Sequence, residues 1–252
     1  MKRLLLLGLC CLAAAACSTT RVLGPGEYRL AQNKVVLPPD SGLFVVEGDK
    51  MVDEALGSGL DVVDVYRRQE VGEKTMERMS GLASAPPSLA VVRIPSRDIP
   101  DISSGLFLGL DAVRDPGNFG TILRISDWFG ADAVFASPDC VDLYNPKVIQ
   151  ASMGAIFRKT VVYTPLPPLC ASFRAAGRKV FGTFLGGEDI YRTALPKDGL
   201  VVMGNEAHGI SGETASQVDV RLTIPSFAVG RGAESLNVAV ATAVVLSEFR
   251  RR

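Results

Sequence analysis

Histidine and tryptophan occur once each in the 252 residues, as His208 and Trp128, and only two of the five cysteines, Cys140 and Cys170, lie beyond residue 17. There is no CxxC pair, and one histidine cannot complete the usual ligand sets, so a zinc or other metal site is not expected. The two outlying thiols are read as reduced and unpaired. Charge of neither sign is in excess: Lys+Arg and Asp+Glu both number 27. Bulk charge therefore announces no polyanionic partner, and a nucleic acid would have to be held by local basic patches. The apolar run Leu4 to Ala16 is too short to span a bilayer as a stable helix. Neither GxGxxG nor GxxxxGK[ST] occurs in the strand-to-helix context that a dinucleotide fold or a phosphate loop requires. There is no internal repeat and no long low-complexity run. What is present is a chain 47% hydrophobic and 21% charged, which suits one or two globular domains with a substantial core.

The first residues are unlike the rest. Met1-Lys2-Arg3 precedes the apolar run, and Ala14-Ala15-Ala16-Cys17-Ser18 closes it. A basic start, an apolar middle and small residues before a cysteine are the layout of a secretory signal, and 1–17 resembles a bacterial lipoprotein signal with Cys17 as the lipidated residue. Ala14 stands where leucine is usual in that pattern. A buried apolar helix is the alternative. Residues 18–41 contain Gly24-Pro25-Gly26, Pro38-Pro39 and Ser41-Gly42, and read as a linker with at most one short strand near Lys34 to Leu37.

From Gly42 the pattern becomes that of a folded α/β unit. Leu43 to Val46, Leu60 to Tyr66 and Leu89 to Val92 are strand candidates, with helices through Met51, Val52, Ala55 and Leu56 and from Glu73 to Met79. Residues 42–97 form a first domain, on which Arg67, Arg68, Lys74, Arg78 and Arg93 are candidates for a basic patch or for ordinary solvated charge. After a polar, Pro-containing stretch, residues 98–252 alternate strand and helix. Strands are expected at Leu106–Leu110, Ala133–Ala136, Val161–Tyr163, Val180–Phe184, Leu200–Met203 and Val220–Ile224. Helices are expected at Gly120–Phe129, Pro146–Phe157, Leu166–Ala176 and Ser235–Arg250. That alternation implies a mainly parallel sheet covered on both faces, with ligands held beyond the carboxyl ends of its strands.

Three segments fall at such strand ends. Asp115-Pro116-Gly117-Asn118-Phe119-Gly120 follows the first strand, with Arg124 in the helix behind it. Its glycines permit close backbone approach, and amides at a helix start can meet an anion or a hydroxyl. Read alone, it is a strand-to-helix turn with a surface arginine. Gly204-Asn205-Glu206-Ala207-His208-Gly209 follows an apolar strand, and Glu206 is costly to bury there without a partner. His208 reads as an exposed loop residue. Ile224-Pro225 ends the last strand, where proline stops further pairing. Glu234-Ser235-Leu236-Asn237 then opens the last helix. Helix capping explains Ser235 or Asn237 singly, but not the whole set in this order.

Together the three segments resemble the three motifs of the SpoU (TrmH) branch of the SPOUT RNA methyltransferases, over roughly Gly42 to Arg252. The resemblance implies an α/β knot at 98–252, in which the C-terminal segment threads through a loop of its own chain. It also implies a small, ribosomal-protein-like substrate domain at 42–97, truncated at its start. The implied cofactor is S-adenosylmethionine, held by Gly204, Ile224 and Leu236 with Asn205 and Met203. Asn118, Arg124, Glu206, Ser235 and Asn237 would form the catalytic surface. The implied partners are rRNA or tRNA and a second copy of the chain, with Arg124 acting on the partner's cofactor. The implied reaction is methyl transfer to a ribose 2′-hydroxyl in the cytoplasm. The head, 1–17, points instead to an exported, lipid-anchored protein that uses the fold as a non-catalytic binding module, and only in that case would a membrane be a partner. A gene fusion, a deletion or a displaced start site would reconcile the two ends. Restarting at Met51 would remove the Leu43 strand.

Overall fold

The computed structural model describes residues 21–23, 28–31, 34–36, 41–96, 98–229 and 233–251. The signal-like segment 1–17 lies outside the described residues. Within the expected linker there are three short strands where one was foreseen: β1 (Arg21–Leu23), β2 (Tyr28–Ala31) and β3 (Lys34–Val36), paired antiparallel in that order. Each holds valine, leucine or tyrosine, residues that suit strands, between the turn formers that had dominated the reading.

The small sheet that follows contains β4 (Leu43–Glu47), β5 (Val62–Arg67) and β6 (Ser88–Arg93), with β6 central and both pairings antiparallel. Helices α1 (Asp49–Gly57), α2 (Arg68–Val71) and α3 (Glu73–Met79) complete it. Strand alternation sends Phe44, Val46, Ala90 and Val92 toward Met51, Val52 and Ala55 of α1, and Leu43, Leu89 and Val91 toward Met76 and Met79 of α3. The five candidate basic residues do not form one patch. Arg67 faces Ser88 at one end of β6, while Arg93 lies at the other end, paired with Asp61 at 2.9 Å. Five residues of strand separate the two ends by about 17 Å.

The larger sheet has six strands, all parallel, in the order β12-β10-β11-β7-β8-β9. They are β7 (Leu106–Leu110), β8 (Ala133–Ala136), β9 (Val161–Tyr163), β10 (Val180–Asp189), β11 (Gly199–Met203) and β12 (Val220–Thr223). The helices are α4 (Pro116–Trp128), α5 (Pro146–Ser152), α6 (Ala155–Arg158), α7 (Leu166–Ala175), α8 (Gly212–Ala215) and α9 (Val238–Arg251). Leu106, Leu108, Val134, Val201, Met203 and Phe181 face one layer, packed with α4, α5, α6 and α9. Phe107, Phe135, Leu200 and Val202 face the other, packed with α7. Covering on both faces buries every side chain of the inner strands β7, β8 and β11, hence their nearly continuous apolar runs, while the edge strands β9 and β12 are only partly buried.

β10 runs to Asp189 rather than Phe184, α8 was not expected, and three helices differ from expectation. The helix expected over 146–157 is broken at Met153, which takes a left-handed φ of 48° and caps α5. The break aims α6 so that Arg158 meets both Glu54 of α1 and Asp127 of α4 at 2.8 Å, tying the two sheets' layers together. Phe44 adds to this junction, with its ring 4.7 Å from that of Tyr144. The last helix starts at Val238 rather than Ser235, and the first of the larger unit starts at Pro116 rather than Gly120. Arg124 thus lies two turns into α4, not one.

Residues 183–223 carry the threading. Leu222 pairs with Thr183 and also with Glu188, both in parallel. One residue has two strand edges, so the two partners lie on opposite sides of β12. The chain leaving Thr183 therefore passes over the end of β12 and pairs again along its far edge, where Ile190 N–H donates to Thr223 O at 3.0 Å. Gly187 makes the crossing: a Cβ there would lie 2.4 Å from the Arg221 carbonyl oxygen. The last strand runs inside a loop formed by 184–198, as the knotted fold requires.

Candidate active site

The carboxyl ends of β7, β11 and β12 bring the three motif segments to one edge of the sheet. Asp115 caps α4 by accepting from Asn118 N at 2.7 Å, with Pro116 in the first turn, as a helix start favours. This holds Asn118 in the first turn, not in a loop. Its side chain then joins the other two segments. Asn118 Nδ2 donates to Glu206 Oε1 at 2.8 Å, and Asn118 Oδ1 accepts from Asn237 Nδ2 at 2.8 Å. The polarity of this chain is set from both ends. A carboxylate only accepts, so the amide nitrogen of Asn118 faces it. The oxygen of Asn237 is engaged by Ala239 N at 2.9 Å and Val240 N at 3.3 Å, where it caps α9, leaving its nitrogen for Asn118. Glu206 is exposed at the strand end and gains its partner there, rather than being buried.

The 204–211 loop is braced by two expected site residues, Gly204 and Asn205, and by Asp111, Ala112, Ser137 and Ser211, which the sequence reading does not single out. Asn205 and Gly209 exchange backbone hydrogen bonds, each of 2.9 Å, and Gly204 lies so close beneath that a Cβ would be 2.3 Å from Gly209 C and Ile210 N. Asn205 Nδ2 donates to Ala112 O at 2.7 Å, and its oxygen accepts from Ala207 N at 2.9 Å and His208 N at 3.1 Å. Ala112 has a left-handed φ of 56° and donates its N–H to Ser137 Oγ at 2.9 Å. The Ser137 hydroxyl in turn donates to Asp139, and this bond holds that carboxyl below its ordinary range. Asp111, only 6% exposed, accepts from both Ser211 N and Ser211 Oγ at 2.8 Å. The signal for Asp111 was available: a carboxylate directly after five apolar residues needs partners.

The remaining expected site residues are arranged around this centre. Met203 is buried at the end of β11, and Ile224 is half-buried after β12. Ser235 and Leu236 are exposed in the approach to α9. His208 is an exposed loop residue, as expected. Arg124 is not brought to the Asn118–Glu206–Asn237 chain. Six residues beyond Asn118 on one helix place it about 9 Å along the axis and about 120° around it. It is exposed and has no side-chain hydrogen bond or ion pair among the described residues. Trp128, one turn further along, is 85% exposed, and Val240 of the adjoining α9 is 51% exposed.

The model of the SpoU rRNA methylase family matches residues 105–247, from the start of β7 into the last turns of α9. The chain belongs to the SpoU rRNA methylase family. It is 29% identical over 223 residues to a 23S rRNA (guanosine(2553)-2′-O)-methyltransferase of Bacillus subtilis, covering 82% of this chain and 88% of that protein. Its fold superposes with a TM-score of 0.75 on a TrmH-family structure from Porphyromonas gingivalis, at 37% identity over 83% of this chain and 90% of the other. It also matches the SpoU methyltransferase AviRb of Streptomyces viridochromogenes in complex with AdoMet, with a TM-score of 0.73 at 26% identity over 84% and 90% of the two chains. No helix among the described residues is long and apolar enough to cross a membrane.

Proposed function

We propose that this SpoU-family chain transfers a methyl group from S-adenosylmethionine to a ribose 2′-hydroxyl of ribosomal or transfer RNA, in the cytoplasm and as a homodimer. The observation that carries the reading is the pair of 2.8 Å hydrogen bonds by which Asn118 joins Glu206 and Asn237 across three separate strand ends.

The residues at this edge suit the cofactor chemically. Apolar surface remains accessible on Ile224 and Leu236 for its carbon framework, and the Glu206 carboxylate is complementary to a sulfonium. Gly204, Asn205 and Met203 would contribute backbone at the end of β11, and the braced 204–211 loop keeps that backbone fixed. Once bound, the cofactor supplies an electrophilic methyl group. The protein's contribution is alignment of the acceptor hydroxyl and stabilisation of charge developing on its oxygen. Guanidinium groups keep their protons in proteins, so Arg124 acts as a hydrogen-bond donor and electrostatic stabiliser rather than a base. Ser235 and Asn237 orient the ribose side of the site.

Arg124 serves the site of the partner subunit. What supports this is its direction away from its own Asn118, on a helical face shared with exposed Trp128 and bordered by Val240. An apolar helix face of that kind is what a second copy would cover. The small sheet with Arg67, Arg68, Lys74 and Arg78 supplies the RNA-facing charge.

Transfer of tritium from labelled S-adenosylmethionine into rRNA or tRNA, followed by mapping 2′-O-methyl positions with and without the gene, tests the reading. Label on a base, or no label in any RNA, would overturn it.

A further inference from the structure

Two aromatic rings stand outside the core beside the last strand. Tyr191 and Phe227 lie with centroids 6.4 Å apart and planes tilted by 32°, and they are 39% and 82% exposed. They come from the two segments that frame the end of β12. Tyr191 follows the stretch that pairs along its far edge, and Phe227 lies three residues beyond Ile224. Three residues of chain reach at most about 10 Å, so this pair stands at the rim of the proposed cofactor pocket. A large apolar ring left in water forgoes the burial that holds the rest of this chain's phenylalanines in place. The neighbouring charge is mixed: Glu188 and Asp189 precede Tyr191, and two planar guanidinium groups accompany them. Arg192 is 88% exposed, with Asp189 at 3.5 Å. Arg221, exposed on β12, has its guanidinium carbon 3.4 Å from the Phe184 ring centroid.

We infer that Tyr191 and Phe227 form a stacking platform for unpaired bases of the RNA substrate, next to the nucleotide that is methylated. The inference rests on the RNA reading above and deepens it. Every base has a π face, so aromatic platforms hold single strands with little sequence preference, and exposed arginines track the neighbouring phosphates or stack in their turn. A duplex offers no free base faces and would gain nothing here. The platform thus selects a looped or single-stranded target without reading its sequence. In a chain with equal numbers of acidic and basic residues, a site that binds through stacking plus two local arginines also answers how RNA is held without bulk positive charge.

The test uses the full chain and its Tyr191→Ala/Phe227→Ala variant, with Tyr191→Phe as the conservative control. Fluorescence anisotropy is measured with a mixed-sequence single-stranded oligoribonucleotide and with a blunt RNA duplex. Stacking is worth about 1–3 kcal/mol per base, so the double variant should bind the single strand at least tenfold more weakly. Its affinity for the duplex, its affinity for S-adenosylmethionine by calorimetry and its sedimentation coefficient should all be unchanged, and Tyr191→Phe should bind as the parent does. Unchanged single-strand affinity overturns the inference. So does a fall in sedimentation coefficient, which would make the pair part of a contact between copies. If the parent methylates RNA and the double variant does so with the same KM, the platform fails and the methyltransferase reading stands. If the parent neither binds nor methylates RNA, both fail.

Discussion

The amide nitrogen of Asn118 and a carboxylate oxygen of Glu206 are 2.8 Å apart, although 88 residues separate them in the chain. Asn118 sits in the first turn of α4, and Glu206 sits beyond the end of β11. Their contact, extended by Asn237 at the start of α9, makes the proposed catalytic surface a joint product of three strand ends. Disturbing any one of them should be felt by the other two.

Arg124→Ala should lower methyl transfer by roughly 10²–10³-fold, the cost of removing one donor aimed at developing charge. Affinity for S-adenosylmethionine, measured by calorimetry, should be nearly unchanged. Equal loss of binding and turnover would contradict the role given to this side chain.

Asn237→Asp separates capping from chemistry. A carboxylate still accepts from Ala239 and Val240 at the start of α9, where negative charge is favourable, so Tm should hold or rise slightly. The variant has no donor for Asn118 Oδ1 and sets an oxygen against it. Turnover should fall about twofold to tenfold, from the ~0.5–1.5 kcal/mol of a neutral amide hydrogen bond. A parallel drop in Tm would mean that the residue matters only for the fold.

Gly204→Ala should open the 204–211 loop, because the new Cβ meets backbone at 2.3 Å rather than a side chain that can move away. A cost of about 1–3 kcal/mol in stability and a marked loss of cofactor affinity are expected in denaturation and calorimetry. Retention of full cofactor affinity would show that the loop's shape is not needed for binding.

The proposed sharing of Arg124 between subunits has a mixing test. Arg124→Ala and Asn118→Ala should each be inactive alone. Mixed and re-equilibrated, they should regain activity, since each heterodimer would contain one site with both residues intact. No recovery, with heterodimers verified by mass spectrometry, would put Arg124 in its own subunit's site. Trp128→Glu should weaken the dimer in sedimentation experiments.

The buried thiols give a pH signature. Burial raises the Cys170 thiol from about 9 to about 11, and desolvation raises Cys140 as well. In the unfolded chain these protons leave at lower pH, so the folded state binds more protons between the two values, and stability falls as pH rises through that interval. The Cys170 contribution should be complete below about pH 9 and lost by about pH 11, with Cys140 acting in the same direction. Thiol-reactive dyes should label neither cysteine at pH 8 until the chain is unfolded. Rapid labelling of Cys140 or Cys170 in the native protein, located by peptide mass spectrometry, would refute the burial.

Much of this was legible before any coordinates. The strands Leu106–Leu110, Ala133–Ala136 and Val161–Tyr163 were read with their observed limits, because both-faced burial writes itself as unbroken apolar runs. Helix starts were less legible. Asp115 and Asn237 move them by three or four residues through side-chain caps, and a cap is a hydrogen bond rather than a periodicity. The resemblance supplied a knot, but the double pairing of Leu222 is a relation between distant segments that no local pattern encodes. Ala112 and Ser211 have no local signal for the same reason, whereas Asp111 is marked by its place directly after an apolar strand. The Asn205–Ala112 and Ser211–Asp111 bonds join segments 93 and 100 residues apart, and they hold the loop on which Glu206 is carried.

The loop around β12 also orders events in time. Ile224 and Asn237 both follow β12 in sequence, so the proposed cofactor rim and the cap of α9 are assembled only in a chain whose β12 has reached its pairing with β10.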